Sequence, residues 1–324
     1  MNKIINTMRK FGVLYTFFLI LEKLGIIKET PFWMLKQRQR YYSSLSIQQQ
    51  KSELSGFYEN LIGKKPNLDN PKTFTEKLQW LKFNDSTEEK ALLSDKYEAP
   101  KIIEQQYGSL GIKIIPQLGV WERAEDIDFN ILPQKFVLKC THGSAMNIIV
   151  KDKALLDIQE TRKKLNNWLA LDFSMVTGMF ELHYKYIKPR IIAEKFIEET
   201  DGNLHDYKFH CFHGEPKFIE FIGDRLSNTH IISSSIYSVQ WEKTDISLNE
   251  DKPYEQTFPK PKKLEQMLIL AKKMSQKYEY VRVDFYYIHD EILFGEMTFT
   301  PDAGMIKFND DKIDQQWGEW IRLN

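Results

Sequence analysis

The stretch from Phe136 to Ile149, FVLKCTHGSAMNII, constrains the chain most, because it reads as a strand, a donor-rich turn and a second strand. Phe136, Val137 and Leu138 form a β-prone apolar run that presents Lys139. Thr141, His142, Gly143, Ser144 and Asn147 supply a turn with several donors, and Ile148, Ile149 and Val150 resume a strand. A lysine held on a strand neutralises phosphate oxygens as a point charge, and the backbone N–H groups of a loop with glycine can approach a phosphate closely. The same residues also describe an ordinary hairpin whose lysine stem lies along the surface.

A second informative piece lies near the end. Tyr280 to Tyr287 and Ile292 to Phe299 read as strands around His289-Asp290-Glu291. Arg282 and Asp284 share a parity within the first strand, and Glu296 and Thr298 share one within the second. One face of a β-ribbon can therefore present all four, with cross-strand neighbours about 5 Å apart. Two carboxylates and a hydroxyl are hard oxygen ligands suited to Mg²⁺, and Arg282 beside them would hold an anion. An exposed face with cross-strand salt bridges has the same composition, although surface pairs contribute little.

With 324 residues the chain predicts two or three packed subdomains. Lys plus Arg and Asp plus Glu both total 45, so no global field argues for a nucleic-acid partner. Cys140 and Cys211 offer neither a disulfide framework nor zinc spacing, which fits a reducing, cytoplasmic compartment. Charge is nevertheless uneven. Residues 1–40 carry eight basic side chains against Glu22 and Glu29, a net charge of +6. Within them Phe11 to Leu21 is an uncharged run too short to span a bilayer, with no small-residue cleavage site after it. A helix there is expected either to lie at an anionic membrane surface, giving peripheral contact through residues 1–30, or to pack on the protein's own core.

The local cues divide the chain into a helical extension over 1–55, an N-terminal subdomain over 56–133, a central one over 134–198 and a C-terminal one over 199–324. Phe32 to Ser55 reads as a second helix or a connector, and Thr73-Phe-Thr-Glu76 has the spacing of a capping box that starts a helix. Glu88 to Gln106 is helical in period, restarting at Pro100. One short strand is expected within Gly111 to Val120, and one amphipathic helix across Asp152 to Met175. Arg190 to Ile197 should be a strand, Asp201-Gly-Asn203 a turn, Tyr207 to Phe212 and Pro216 to Ile222 a hairpin, and Lys262 to Lys277 a helix. The fold class is α/β (α+β), with a mixed or antiparallel sheet on each side of a cleft.

Asp95-Lys96, Gly111-Ile112, Phe136-Val-Leu-Lys139 with His142-Gly-Ser144, Ala193-Glu-Lys-Phe-Ile197, Val281-Arg-Val-Asp284 and Gly295-Glu-Met-Thr-Phe299 follow an order that resembles the ATP-grasp superfamily. Thr73-Phe-Thr-Glu-Lys-Leu-Gln-Trp80, Leu118-Gly-Val-Trp121, His183-Tyr184, Pro189-Arg190, Asp206-Tyr-Lys-Phe209 and Gly214-Glu-Pro-Lys-Phe218 are similar to its TupA-like branch, associated with teichuronopeptide and other bacterial surface polysaccharides such as capsules. The resemblance implies two subdomains clamping ATP. Lys96 and Lys139 would contact its phosphates under a loop with His142, Gly143 and Ser144. Glu194, Lys195 and Ile197 would line the adenine pocket, Asp206 would meet the ribose hydroxyls, and Lys208 would face the phosphates. Asp284, Glu296 and Thr298 would hold Mg²⁺, in two ions, and Arg282 would stabilise a tetrahedral intermediate, so that Arg282, Lys139, His142 and Ser144 form the catalytic set.

The implied reaction joins a carboxylate, such as a uronic acid of a glycan, to an amine or amino acid through an acyl phosphate, in the cytoplasm or at the inner face of the membrane. Two positions depart from the family pattern: Ala145 stands where a second glycine is usual, and Thr298 where an asparagine is. The alternatives are an ATP-dependent sugar kinase and a glycan-binding or scaffolding protein with a decayed nucleotide site. A glycosyltransferase label, carried by some members of the branch, has no support in these motifs.

Overall fold

The structure, a computed structural model, describes residues 2–27, 29–198, 204–223, 233–249 and 253–323. Its helical opening comprises α1 (Asn2–Lys23), α2 (Phe32–Ser43) and α3 (Ile47–Ile62), so the segment from Phe32 is two helices. Both halves of the capping box at the start of α4 (Phe74–Asn84) are made: Thr73 Oγ1 accepts from the Glu76 N–H and the Glu76 carboxylate accepts from the Thr73 N–H. Two further helices, α5 (Glu88–Ser94) and α6 (Glu98–Tyr107), follow, with Pro100 in the first turn of α6 where its missing N–H costs nothing.

The single strand expected within 111–120 is instead two, β1 (Ile112–Lys113) and β2 (Gln117–Trp121), which enter different sheets on either side of Pro116. Then come β3 (Phe136–Cys140) and β4 (Asn147–Val150). The helix expected across Asp152 to Met175 is interrupted into a 3₁₀ turn, α7 (Ile158–Leu169) and α8 (Phe173–Val176). Asp152, Asp157 and Asp172 each cap the piece that follows, so each is a start signal that divides the segment. The chain continues through β5 (Ile191–Lys195), β6 (Asp206–Phe212), β7 (Glu215–Ile222), β8 (Ser235–Ser238), α9 (Leu264–Ser275), β9 (Tyr280–Ile288), β10 (Glu291–Thr298) and α10 (Asp311–Glu319). The turn expected at Asp201-Gly-Asn203 lies outside the described residues.

Among the described residues the strands form two sheets. The larger runs β1-β10-β9-β6-β7-β8, with β1 parallel to β10 and the other pairs antiparallel; the smaller, antiparallel throughout, runs β2-β5-β3-β4. One face of the larger sheet buries Phe209, Val281, Val283 and Phe285 against Leu264, Met267 and Leu270 of α9. The smaller sheet packs Phe136, Leu138, Ile191 and Ala193 with Leu165 of α7. On the other face of the larger sheet, α4 and α10 close one end through Phe74, Phe212, Tyr280 and a wholly buried Trp317. The rest of that face is left for charged residues.

The contact between α4 and α10 turns on Gly318, where an added Cβ would lie 2.2 Å from the Lys72 carbonyl oxygen. Helix propensity alone makes Gly318→Ala stabilising by about 1 kcal/mol. The clash reverses that sign. Urea unfolding of Gly318→Ala is expected to show a loss of about 1 to 3 kcal/mol, typical of overpacking.

Candidate active site

The charged face of the larger sheet is organised by a bulge. In β10, Phe294 pairs with Phe285 and Glu296 pairs with Asp284, so Gly295 is an extra residue. Were Gly295 paired in a regular ladder instead of bulged, Glu296 would fall opposite Val283 and face the α9 core. A glycine is required there, since a Cβ would sit 2.9 Å from the Asp284 carbonyl oxygen. Past the bulge, Glu296, Asp284, Lys208 and Glu220 stand in register across β10, β9, β6 and β7. Thr298, Arg282 and His210 form the next rung. Lys208, His210, Glu220, Arg282 and Asp284 are all buried.

Arg282 is the hub of these rungs. Its Nε and Nη2 donate to both oxygens of Asp284 at 2.8 and 2.7 Å, and Nη2 also donates to Glu296 at 3.1 Å and Thr298 at 3.4 Å. The Thr298 hydroxyl donates to Glu296 at 3.0 Å. Burial pushes the Glu296 carboxyl up, but Arg282, Lys96 and Lys208 outweigh it and hold the group down at about 2. Asp284 is deeper, and burial raises its carboxyl to about 7 against the opposing pull of Arg282 and Lys208. Lys208 lies 3.8 Å from Asp206 and 3.9 Å from Asp284.

A cavity of about 380 Å³ opens between this face and the smaller sheet. Asp206, Asp284 and Glu296 line one side; Lys139, Glu194 and the backbone run Lys195 to Ile197 line the other, with Lys96 between them. The fit to a nucleotide rests on unspent polar capacity. Asp206 Oδ1 is buried with no hydrogen-bond partner, a carboxylate oxygen ready for a ligand hydroxyl. Lys139 is ion-paired with Glu194. Burial pushes the Lys96 ammonium down while Glu296 draws it up, and its Nζ donates to the Gly143 carbonyl at 2.7 Å. For a hard divalent cation, Asp284, Glu296 and the Thr298 hydroxyl are a fitting oxygen set. Among the described residues no group of three or more His, Cys, Asp or Glu side chains is placed to hold a metal ion.

Of the residues singled out from the sequence, Lys96, Lys139, Ser144, Glu194, Lys195, Ile197, Asp206, Asp284 and Glu296 line this cavity. Arg282, Thr298 and Lys208 lie behind Asp284 and Glu296 rather than on its wall. His142 departs furthest from expectation. It is buried behind the loop, its Nε2 at 3.2 Å from the Trp168 carbonyl oxygen, and burial lowers its pKa, so it does not face the cavity. Gly143 is needed for close packing, since a Cβ would meet the Phe173 ring at 2.7 Å. Ala145 does adopt a positive φ of 58°, the conformation in which a side chain is strained.

Sequence reasoning missed Glu220 and His210, which continue the rungs inward: His210 Nδ1 is 2.8 Å from the Tyr280 hydroxyl, and Glu220 is held well below the carboxylate range, with Lys208 and His210 overcoming its burial. Their shared parity with Lys208 was the available signal. It also missed the polar side of α4. Lys82 is buried and donates to the carbonyls of Met179 at 2.6 Å and Ala303 at 2.8 Å; Gln79 donates to Gly304 at 2.7 Å. These bonds fix a left-handed turn at Asp302, Ala303 and Gly304, shortly after β10.

His183, beside this turn, is 2% exposed, and burial, assisted by Lys90 and Lys82, pushes its imidazole from an ordinary 6.5 down to about 3. The fold therefore holds it neutral while the unfolded chain protonates it. Its contribution to stability is complete above pH 6.5 and is lost as pH falls from there towards about 3, at about 1.4 kcal/mol per pH unit. Unfolding free energies measured across that window should fall less steeply by that slope in His183→Asn than in the wild type.

A model of the TupA-like ATP-grasp family matches residues 76–322. No curated protein matches the chain. Among solved structures, a D-alanine–D-alanine ligase from Helicobacter pylori is similar at 17% identity and a TM-score of 0.39, over 77% of this chain and 69% of that one. A D-alanine–D-alanine ligase from Bacillus anthracis is similar at 19% and 0.36, over 64% and 57%. An L-amino acid ligase from Bacillus licheniformis is similar at 11% and 0.36, over 65% of this chain and 42% of that one. At these scores the structural likenesses carry no argument about activity.

Proposed function

Because the chain belongs to the TupA-like ATP-grasp family, we propose that it is an ATP-dependent carboxylate–amine ligase. A substrate carboxylate attacks the γ-phosphate of ATP and releases ADP; an amine then attacks the acyl carbon and releases phosphate, leaving an amide. The observation that carries this reading is the convergence on one cavity of Lys96, Lys139, the unpartnered Asp206 oxygen and the Asp284–Glu296 pair. Lys96 and Lys139 neutralise phosphate oxygens under the loop that carries Ser144. Glu194 and the backbone of Lys195 to Ile197 take the base edge, and Asp206 takes the ribose. Asp284 and Glu296, which line the cavity, would hold Mg²⁺, which supplies charge neutralisation at the phosphates, with Thr298 orienting Glu296 from behind.

Arg282 aims both carboxylates and, with Lys208, opposes the burial that favours their neutral forms, so their part is positioning from behind the wall. In this division residues 134–198 carry the loop and 199–324 the acidic strands. The branch's association with surface polysaccharides supports a uronic acid of a glycan as the carboxylate and an amino acid as the amine, and the use of ATP supports a cytoplasmic location.

Thermal unfolding with Mg-ATP tests the nucleotide site. At a ligand concentration about 100 times its dissociation constant the wild type should gain roughly 2.7 kcal/mol, and Lys139→Ala and Asp284→Asn should lose that gain. Hydroxylamine trapping with uronic acids then tests the chemistry. A hydroxamate formed only with ATP supports the acyl phosphate, whereas a phosphorylated sugar without hydroxamate would make the protein a kinase.

A further inference from the structure

We propose that α1 is a membrane-docking helix whose outward face enters the surface of an anionic bilayer. This goes beyond the ligase reading and does not rest on it. Val13, Phe17, Ile20 and Leu24 recur at helical spacing and are 68%, 54%, 38% and 67% exposed, forming an apolar stripe. Leu14 widens it at 63%, and Trp33, 39% exposed, stands edge-on to Phe18 at 5.5 Å. Isolated apolar side chains on a surface need no explanation, but a contiguous stripe does.

The opposite side of the helix is fixed to the protein, so the stripe cannot turn inward. Tyr15 and Thr16 are buried, Phe11 stacks on Tyr15 and meets Tyr41 edge-on, and Gln37 Nε2 donates to the Phe11 carbonyl at 2.7 Å. Lys10 is tied to Glu53 at 2.6 Å, and Arg38 donates to the Tyr15 hydroxyl. Gly12, with φ 86°, breaks the helix at the start of the stripe and sets its direction separately from the preceding turn.

Charge selects the occupant. Arg9 and Lys23 flank the stripe in sequence and Arg40 lies on the neighbouring helix; all three are exposed and have no ion-pair partner among the described residues. They belong to the segment with net charge +6, so a second copy of this face would meet like charge, whereas anionic headgroups would meet opposite charge. No helix among the described residues is long and apolar enough to cross a membrane. The mode is therefore interfacial, with the apolar stripe entering the headgroup boundary and the aromatic Trp33 and Phe17 at its edge.

Sedimentation of the full chain with vesicles tests this. Vesicles of phosphatidylglycerol and phosphatidylcholine should carry the protein down, and vesicles of phosphatidylcholine alone should carry at least about tenfold less, with raised salt weakening the first. Phe17→Glu/Ile20→Glu, which changes only exposed side chains, should lose binding, and Arg9→Glu/Lys23→Glu should lose the preference for anionic lipid. Both should melt as the wild type does. Absence of sedimentation with anionic vesicles, or equal sedimentation of the Phe17→Glu/Ile20→Glu protein, overturns the proposal. So does light scattering that shows a lipid-free wild-type dimer and a monomeric variant, because a second copy would then cover the stripe.

Discussion

The fork of Arg282 between Asp284 and Glu296 is the interaction on which the acidic face depends. Two carboxylates brought opposite each other on adjacent strands repel, and a buried one is driven towards its neutral form. The guanidinium answers both at once, with two bonds to Asp284 and a third to Glu296. Lys208 supplies a second cation from the next strand, and Glu220 balances Lys208 in turn. The result interleaves two cations, Arg282 and Lys208, among three carboxylates on one face. Its interior members are locked by their partners, while the outermost carboxylate, Glu296, keeps 46% of its side chain exposed at the cavity. A face built this way holds its geometry without a ligand, yet presents oxygen donors at one edge.

Lys96 is one tie between the opposing wall and this face. Lys96, between α5 and α6, reaches the β3–β4 loop at the Gly143 carbonyl and lies close enough to Glu296 to be influenced by its charge. The loop is closed on itself by the Cys140 N–H to the Met146 carbonyl at 2.9 Å and on β5 by the Thr141 N–H to the Arg190 carbonyl at 2.9 Å. One ammonium thus spans loop and acidic face, and its burial makes that charge responsive to what enters the cavity.

Much of the site was legible because alternation within a strand is local. The parity of Arg282 with Asp284 and of Glu296 with Thr298, the hairpin turn at His213-Gly214 and the strand presenting Lys139 are each read within a single strand or turn. What was not legible depends on partners far along the chain. Lys82 and Gln79 have the composition of a solvated helix face, and only the turn at Ala303 and Gly304 explains why they are buried. His142 has the residue type of a catalytic group, but the backbone of its loop sends it towards Trp168. The break of the long helix was written in three aspartates whose capping role competes with an equally good reading as polar surface. β8 is too short to stand apart from its neighbours, whereas α10 is amphipathic, with Ile313 and Trp317 on one face behind the Asp310 cap, and was there to be read.

The bulge at Gly295 has a consequence for how this hairpin tolerates change. Phe294 and Glu296 have the same parity in the chain and opposite faces in the sheet, so the strand changes phase between them. Gly295 occupies no rung of its own. Its removal would leave Phe294 opposite Phe285 and Glu296 opposite Asp284 in an unbroken ladder, whereas any larger side chain in its place would press on the Asp284 carbonyl. At this one point a missing residue is a smaller disturbance than an exchanged one. The loss of Met297 would instead carry Thr298 to the opposite face.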